Sequence, residues 1–290
     1  MKSLDTQIDE SSQVIPKLRL IIKTLTHSER IVLQYCIDQG NKIHGIDLKE
    51  IADRCSVSSA LVVKVAKRCG YAGFRELRSA LASYAMQNQN DLHKELDPND
   101  GVKTVIEKVF TTSIIALQET MQVLDPGELK RVAEKFFAAE QILFVGVGGS
   151  GALALDAYHK FLRIGGRVQY TTDSHLMVMS ASLMTSKSIL VGFSHSGRTT
   201  AVVEAFKAAR AQNAITVAIT NTPESLLSQY SDHLFCSVAQ GSPINGEGAA
   251  ARIAQLNILD ILFVLYAQHD YEKCLANLTK TIECVTNLRA

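Results

Sequence analysis

The sequence is short of the features that mark a membrane, secreted or metal-dependent protein. None of its apolar runs reaches the roughly 18 residues that a membrane-spanning helix needs, so no membrane partner is expected. The first residues, MKSLDTQIDESS, are polar and include acids, which is unlike a secretion signal. Six cysteines (Cys36, Cys55, Cys69, Cys236, Cys274 and Cys284) are scattered and form no C-x-x-C pair. They read as reduced thiols, several of them core residues, and point to a cytoplasmic protein. No metal-ligand spacing and no convincing catalytic pair occur, so neither a metal nor a cofactor is expected. There is no internal repeat and no low-complexity segment, and the net charge is only +1. What is present suits a soluble globular chain: 47% hydrophobic and 20% charged residues over 290 positions, enough for one large or two ordinary domains.

One stretch stands out, Ile189 to Thr200 (ILVGFSHSGRTT). Its apolar run predicts a buried strand, its polar residues a tight turn, and AVVEAFKAARA after it a helix. Amide groups at a helix start are unpaired and carry partial positive charge, which suits a phosphate. Ser194, Ser196, Thr199 and Thr200 add hydroxyl donors around Gly197. Ordinary N-capping needs one or two such hydroxyls, fewer than are gathered here.

The first 85 residues predict short helices. Thr26-x-x-Glu29 before Ile31, Val32 and Leu33 is a capping box. Asp47 caps LKEIADRC, whose Leu48, Ile51 and Ala52 share a face. Ser56-Val57-Ser58 interrupts, and a third helix runs from about Ser59 to Cys69 with Gly70 as its stop. Leu61, Val62, Val65 and Ala66 face inward. Two helices joined by so short a turn make a helix-turn-helix, whose second helix can enter a DNA major groove. Between Ser56 and Leu81 lie five basic residues and one acid, a charge of +4. That is the footprint of phosphate-backbone contact, and equally of a solvated face on a packing module. On the DNA reading, Ser58, Ser59 and Ala60 reach base edges, and Lys64, Lys67 and Arg68 meet phosphates of double-stranded operator DNA.

The order of these residues resembles the N-terminal domain of the RpiR family of bacterial transcriptional regulators. The resemblance rests on Leu48, Ile51, Ala52, Val57, Ser58, Val62, Val63, Lys67, Gly70, Tyr71, Gly73, Phe74 and Leu77, with Cys69 and Tyr71 as mild departures. Ala60 and Leu61 also depart from the usual recognition-helix residues.

Residues 86–103 are polar, end in the turn cluster Asp97-Pro98-Asn99-Asp100-Gly101, and are expected to be a linker. From 104 onward a helix comes first, and strands and helices then alternate. QILFVGV (141–147), RVQYTT (167–172), ILVGF (189–193), AITVAIT (214–220) and HLFCSV (233–238) are the strands, and 248–268 is a long apolar helix. This order predicts a doubly wound parallel sheet with its ligand beyond the C-terminal strand ends. The fold class is therefore α/β, an all-α domain over 1–85 followed by a flavodoxin-like sheet domain over 104–290.

Gly146-x-Gly148-x-x-Gly151, with Asp173 about 22 residues on, also fits a dinucleotide fingerprint. Against that reading, the strongest polar turn follows the third strand, not the first. VGVGGSG together with FSHSGRTT resembles the sugar isomerase (SIS) phosphosugar-binding fold, the ligand-sensing half of RpiR regulators. The resemblance implies that Ser194, Ser196, Gly197 and Thr199 hold a sugar phosphate with the amides of His195 and Gly197. It places Ser150 near the sugar or phosphate and Glu247 at the sugar hydroxyls. Arg198 stands where isomerases of this fold often have Glu, and beside an anion it would add charge-assisted bonds. Asp173-x-His175 recurs in such regulators, but is also what a helix cap with a surface His looks like. The function implied is a phosphosugar-responsive regulator of sugar or amino-sugar metabolism genes, not an enzyme, acting as a homodimer or homotetramer. A sugar-phosphate isomerase using Glu247 and an NAD-dependent oxidoreductase are the alternatives.

Overall fold

The computed structural model describes residues 13–87, 96–239, 249–286 and 288. The chain divides into two compact units, 1–123 and 124–290.

The first unit is helical: α1 (Val14–Ile21), α2 (His27–Asp38), α3 (Leu48–Arg54), α4 (Ser59–Arg68), α5 (Phe74–Gln87) and α6 (Val102–Val123). The Thr26–Glu29 capping box opens α2 as expected. Asp47 caps α3, accepting from Glu50 N at 2.8 Å, and Ser58 caps α4, accepting from Leu61 N at 3.3 Å. Gly70 ends α4 in the left-handed region, φ +88°. Val32, Leu33, Ile51, Val62, Val65, Ala66 and Leu77 are buried together, so one core ties the helices on either side of the turn. Leu61, expected inside, is half-buried. The turn cluster before α6 is built by its own acids: Asp97 Oδ1 accepts from Asn99 N at 2.8 Å, and Asp100 holds Lys108 at 2.6 Å.

The unit boundary at 123/124 differs from the expected division at 103/104, because α6 groups with the first helices. Its Glu119 pairs with Arg19 of α1, and both side chains are buried. A buried ion pair requires its partner in place, which the sequence of 104–124 alone does not reveal.

The second unit holds five parallel strands in the order β2-β1-β3-β4-β5. They are β1 (Gln141–Gly146), β2 (Val168–Thr171), β3 (Ser188–Ser194), β4 (Ile215–Thr220) and β5 (His233–Cys236). Helices α7 (Pro126–Ala138), α8 (Gly149–Arg163), α9 (Ser174–Ser182), α10 (Thr200–Ala211), α11 (Ala249–His269) and α12 (Tyr271–Thr286) complete it. Side chains alternate across the strands. Phe144, Ile189, Val191 and Phe193 meet Phe136, Phe161, Ile258 and Leu259 on one face. Leu143, Val145 and Leu190 meet Met177, Val202 and Phe206 on the other. Both faces of β3 are therefore covered, which is why its sequence is apolar without a break. Helix α11 is long and apolar enough by composition to cross a membrane, yet its Ile258, Leu259 and Leu262 are fully buried against the sheet.

Candidate functional site

Strand order alone fixes where a ligand would sit. The chain leaves β1 for β2 on one side and returns to β3 on the other, so the turns after β1 and β3 flank the topological switch point. Gly146 and Phe193 are register partners, which puts these two turns side by side.

After β3 the chain makes a tight turn. Gly197 N–H donates to the Ser194 carbonyl at 3.2 Å, and Gly197 adopts φ +63°. A Cβ there would lie 2.2 Å from Ser225 Oγ, so both backbone and space demand glycine. The His195 carbonyl is drawn toward the end of β4, accepting from Asn221 N at 3.1 Å, Thr220 Oγ1 at 3.2 Å and Thr222 Oγ1 at 3.4 Å. In a trans peptide the next N–H points the opposite way, so this pinning turns the Ser196 amide away from the end of β4. The resemblance to phosphosugar sites implied the amides of His195 and Gly197 as ligand donors. Gly197 spends its N–H inside the turn, and the Ser196 N–H points away from the end of β4.

The hydroxyls do not serve the helix end. Thr199 occupies the N-cap of α10 without a side-chain cap, and its Oγ1 lies 3.1 Å from Ser194 Oγ. Ser196 Oγ accepts from Arg198 N at 3.3 Å. The first amides of α10 therefore keep their positive end uncapped by these side chains. Ser194 is buried at the floor of the turn, while Ser196 and Arg198 are exposed.

The turn after β1 brings a second helix start to the same edge. Its N-cap is Gly148, at φ +58°, which has no side chain to cap with. Half-buried Ser150 sits in the first turn of α8. The other two glycines of the apparent dinucleotide motif have packing reasons. A Cβ on Gly146 would stand 2.4 Å from the Ser150 carbonyl oxygen, and one on Gly151 would stand 2.7 Å from Thr172 Cγ2. Asp173 Oδ1 accepts from His175 N at 3.0 Å and Leu176 N at 2.9 Å. That carboxylate oxygen caps α9, and His175 is exposed. Glu247 lies outside the described residues.

Sequence reasoning missed the polar residues behind the loop. Thr220, Asn221 and Thr222 hold the His195 carbonyl from β4 and the turn after it, and a polar triplet directly after an apolar strand was the available signal. Buried Asn221 also bridges Ala239 in both directions at 3.1 Å and accepts from Ser237 Oγ, to which Gln255 of α11 donates at 3.2 Å. Arg252 of α11 was missed too: its Nη1 lies 3.0 Å from where a Gly149 Cβ would be. Among the described residues no group of three or more His, Cys, Asp or Glu is placed to hold a metal.

In the first unit, Ser58, Ser59 and Ala60 are exposed at the start of α4, and Lys64 and Lys67 are exposed further along it. Arg68 and Lys64 are not simply solvated. Arg68 Nη1 donates to Glu29 Oε2 at 2.7 Å, and Lys64 Nζ lies 3.3 Å from Glu29 Oε1. The Thr26 backbone N–H, with the Thr26 hydroxyl, Lys64 and Arg68, holds the buried Glu29 carboxyl down at about 2 against the burial that raises it.

Residues 12–88 match the helix-turn-helix domain of the rpiR family, and residues 135–265 match the SIS domain. The chain is 36% identical over 277 residues to the HTH-type transcriptional regulator RpiR of Escherichia coli K12, covering 96% of this chain and 94% of that protein. It is 30% identical to an uncharacterized HTH-type transcriptional regulator of Haemophilus influenzae, over 97% and 99% of the two chains. In three dimensions it is similar to the Vibrio vulnificus NanR protein complexed with ManNAc-6P, with TM-score 0.61, 25% identity and coverage of 96% and 99%. The sugar isomerase domain of an RpiR transcription factor from Sphaerobacter thermophilus shares the sheet fold at TM-score 0.57 and 20% identity, over 62% of this chain and 98% of that one.

Proposed function

The chain belongs to the RpiR family of helix-turn-helix transcriptional regulators with a SIS domain, and from that premise we propose that it controls sugar or amino-sugar metabolism genes in response to a phosphorylated sugar. One observation carries the reading: hydroxyls of the Ser194–Thr199 turn pair with each other or with the turn backbone and leave the start of α10 uncapped, next to a second uncapped helix start at Gly148. An anion is the ligand that two adjacent helix N-termini favour. Ser194, Ser196, Thr199 and the Ser196 amide take the phosphate. Gly197 shapes the turn, His195 anchors it through its carbonyl, and Ser150, Arg252 and Glu247 address the rest of the ligand. That the related NanR was solved with ManNAc-6P supports a phosphosugar, and an amino sugar among the candidates. The role is sensing rather than catalysis, because these groups bind and orient an anion. A dimer or tetramer presents paired α4 helices to two half-sites, with Ser58, Ser59 and Ala60 toward base edges and Lys67 toward the backbone, Lys64 and Arg68 beside it being drawn to Glu29.

A thermal-shift panel of hexose, pentose and amino-sugar phosphates tests the site. At about 100 times its Kd a ligand stabilises by about 2.7 kcal/mol, a rise of several degrees. One phosphosugar is expected to give that rise, and Ser194→Ala/Ser196→Ala to abolish it. An undiminished rise in the double variant refutes the assignment, as does a response to NAD(H) alone.

A further inference from the structure

A carboxylate inside a DNA-binding unit needs a reason, because it repels the polyanion. Glu29 already has one role, in the capping box of α2, where it accepts from Thr26 N at 3.0 Å and Thr26 Oγ1 at 2.9 Å. Capping needs no charge, since glutamine serves at the same position. The carboxylate nevertheless reaches α4 and takes Lys64 on one oxygen and Arg68 on the other. A second nitrogen of Arg68 donates to the Thr24 carbonyl at 3.4 Å, so both ends of its guanidinium are engaged on the chain that enters α2. The Glu29 side chain is 1% exposed, against 64% for Lys64 and 37% for Arg68. Two of the three cations on α4 thus face the Glu29 carboxylate, and Lys67 is left outside the pairing.

From this juxtaposition we infer that Glu29 sets the strength and salt dependence of DNA binding: it occupies Lys64 and Arg68 so that they bind phosphates weakly. The inference rests on the DNA-binding reading. Sequence-independent affinity grows with the number of phosphates neutralised, whereas base-edge contacts at Ser58, Ser59 and Ala60 do not depend on that count. Withholding two cations therefore weakens binding to random and operator DNA by the same phosphate-contact factor, and leaves the base-edge discrimination between them unchanged.

The test is fluorescence anisotropy of the full-length protein on random-sequence and own-promoter duplexes, across about 50 to 200 mM salt. Glu29→Gln keeps the capping box and removes the charge. Freeing two cations steepens the log affinity against log salt slope by about 1 to 2, so random-DNA binding tightens throughout, and the gain over the parent is about 4- to 16-fold larger at the low-salt end than at the high-salt end. Promoter binding tightens by a similar factor, so the ratio of promoter to random affinity stays near the parent's. A slope unchanged from the parent overturns the inference, and this readout does not respond to a merely structural role. Arg68→Gln serves as the second variant if Glu29→Gln is poorly folded. It is expected to change the slope by less than about 0.5, and a loss near 0.9 would show Arg68 already on a phosphate. If the parent protein binds neither duplex in a salt-dependent way, the DNA-binding reading fails and this inference with it.

Discussion

Glu29 titrates at about 2 in the folded chain, against an ordinary 4.5, chiefly because the Thr26 N–H bonds its ionised form. A depressed carboxyl contributes stability that is fully present above the unfolded value and is lost as pH falls through the folded one. The stability gap between the parent and Glu29→Gln should therefore hold at neutral pH and close between about pH 4.5 and pH 2, measured by circular-dichroism melting. A gap that stays constant over that window would show that the carboxylate's charge contributes nothing to stability. The capping box itself was legible, since Thr26 and Glu29 are three residues apart. The arrival of Arg68, 39 residues away, was not, because only the packing of α2 on α4 brings it there. Gly197 divides in the same way. A turn glycine was expected among the hydroxyls, but the reason no side chain fits is Ser225, which reaches the turn only in the fold.

Elements were legible where their period was strong. All five strands fall within a residue or two of the expected runs, and their parallel order follows from the alternation with helices. Helices α1, α5, α7 and α12 went unread, although α7 carries a clear start: Asp125 accepts from Gly127 N at 2.7 Å, with Pro126 at the first position and Glu128 in the first turn. The first-loop glycines show how a motif can mislead. Gly146 and Gly151 let β1 and α8 approach closely, a need that any tight strand–helix turn shares with a dinucleotide site. Gly146→Ala should therefore destabilise the chain by about 1–3 kcal/mol through overpacking against the Ser150 carbonyl. Urea unfolding checks this, and an unchanged midpoint would mean that the β1–α8 junction yields without cost.

At the scale of the whole molecule, the sequence shows two kinds of folding unit, a helical one with a basic recognition helix and a parallel sheet with a polar switch point. Where one ends was less visible, because α6 is anchored by the buried Arg19–Glu119 pair across a separation of 100 residues. Regulation requires that the two units share an equilibrium: the effector must bind two states of the protein with different affinity, and DNA must distinguish the same states. Coupling of this kind is typically about 1–3 kcal/mol, or about 5- to 150-fold in affinity. The most direct measurement is anisotropy titration of the full-length protein on the duplex upstream of its own gene, with and without each sugar phosphate. One sugar phosphate should change the operator Kd by at least about fivefold, in either direction, and Ser194→Ala/Ser196→Ala should bind the operator like the parent but ignore the sugar. An operator Kd that no sugar phosphate moves, or one that moves equally in the double variant, would contradict phosphosugar sensing through the Ser194–Thr199 turn.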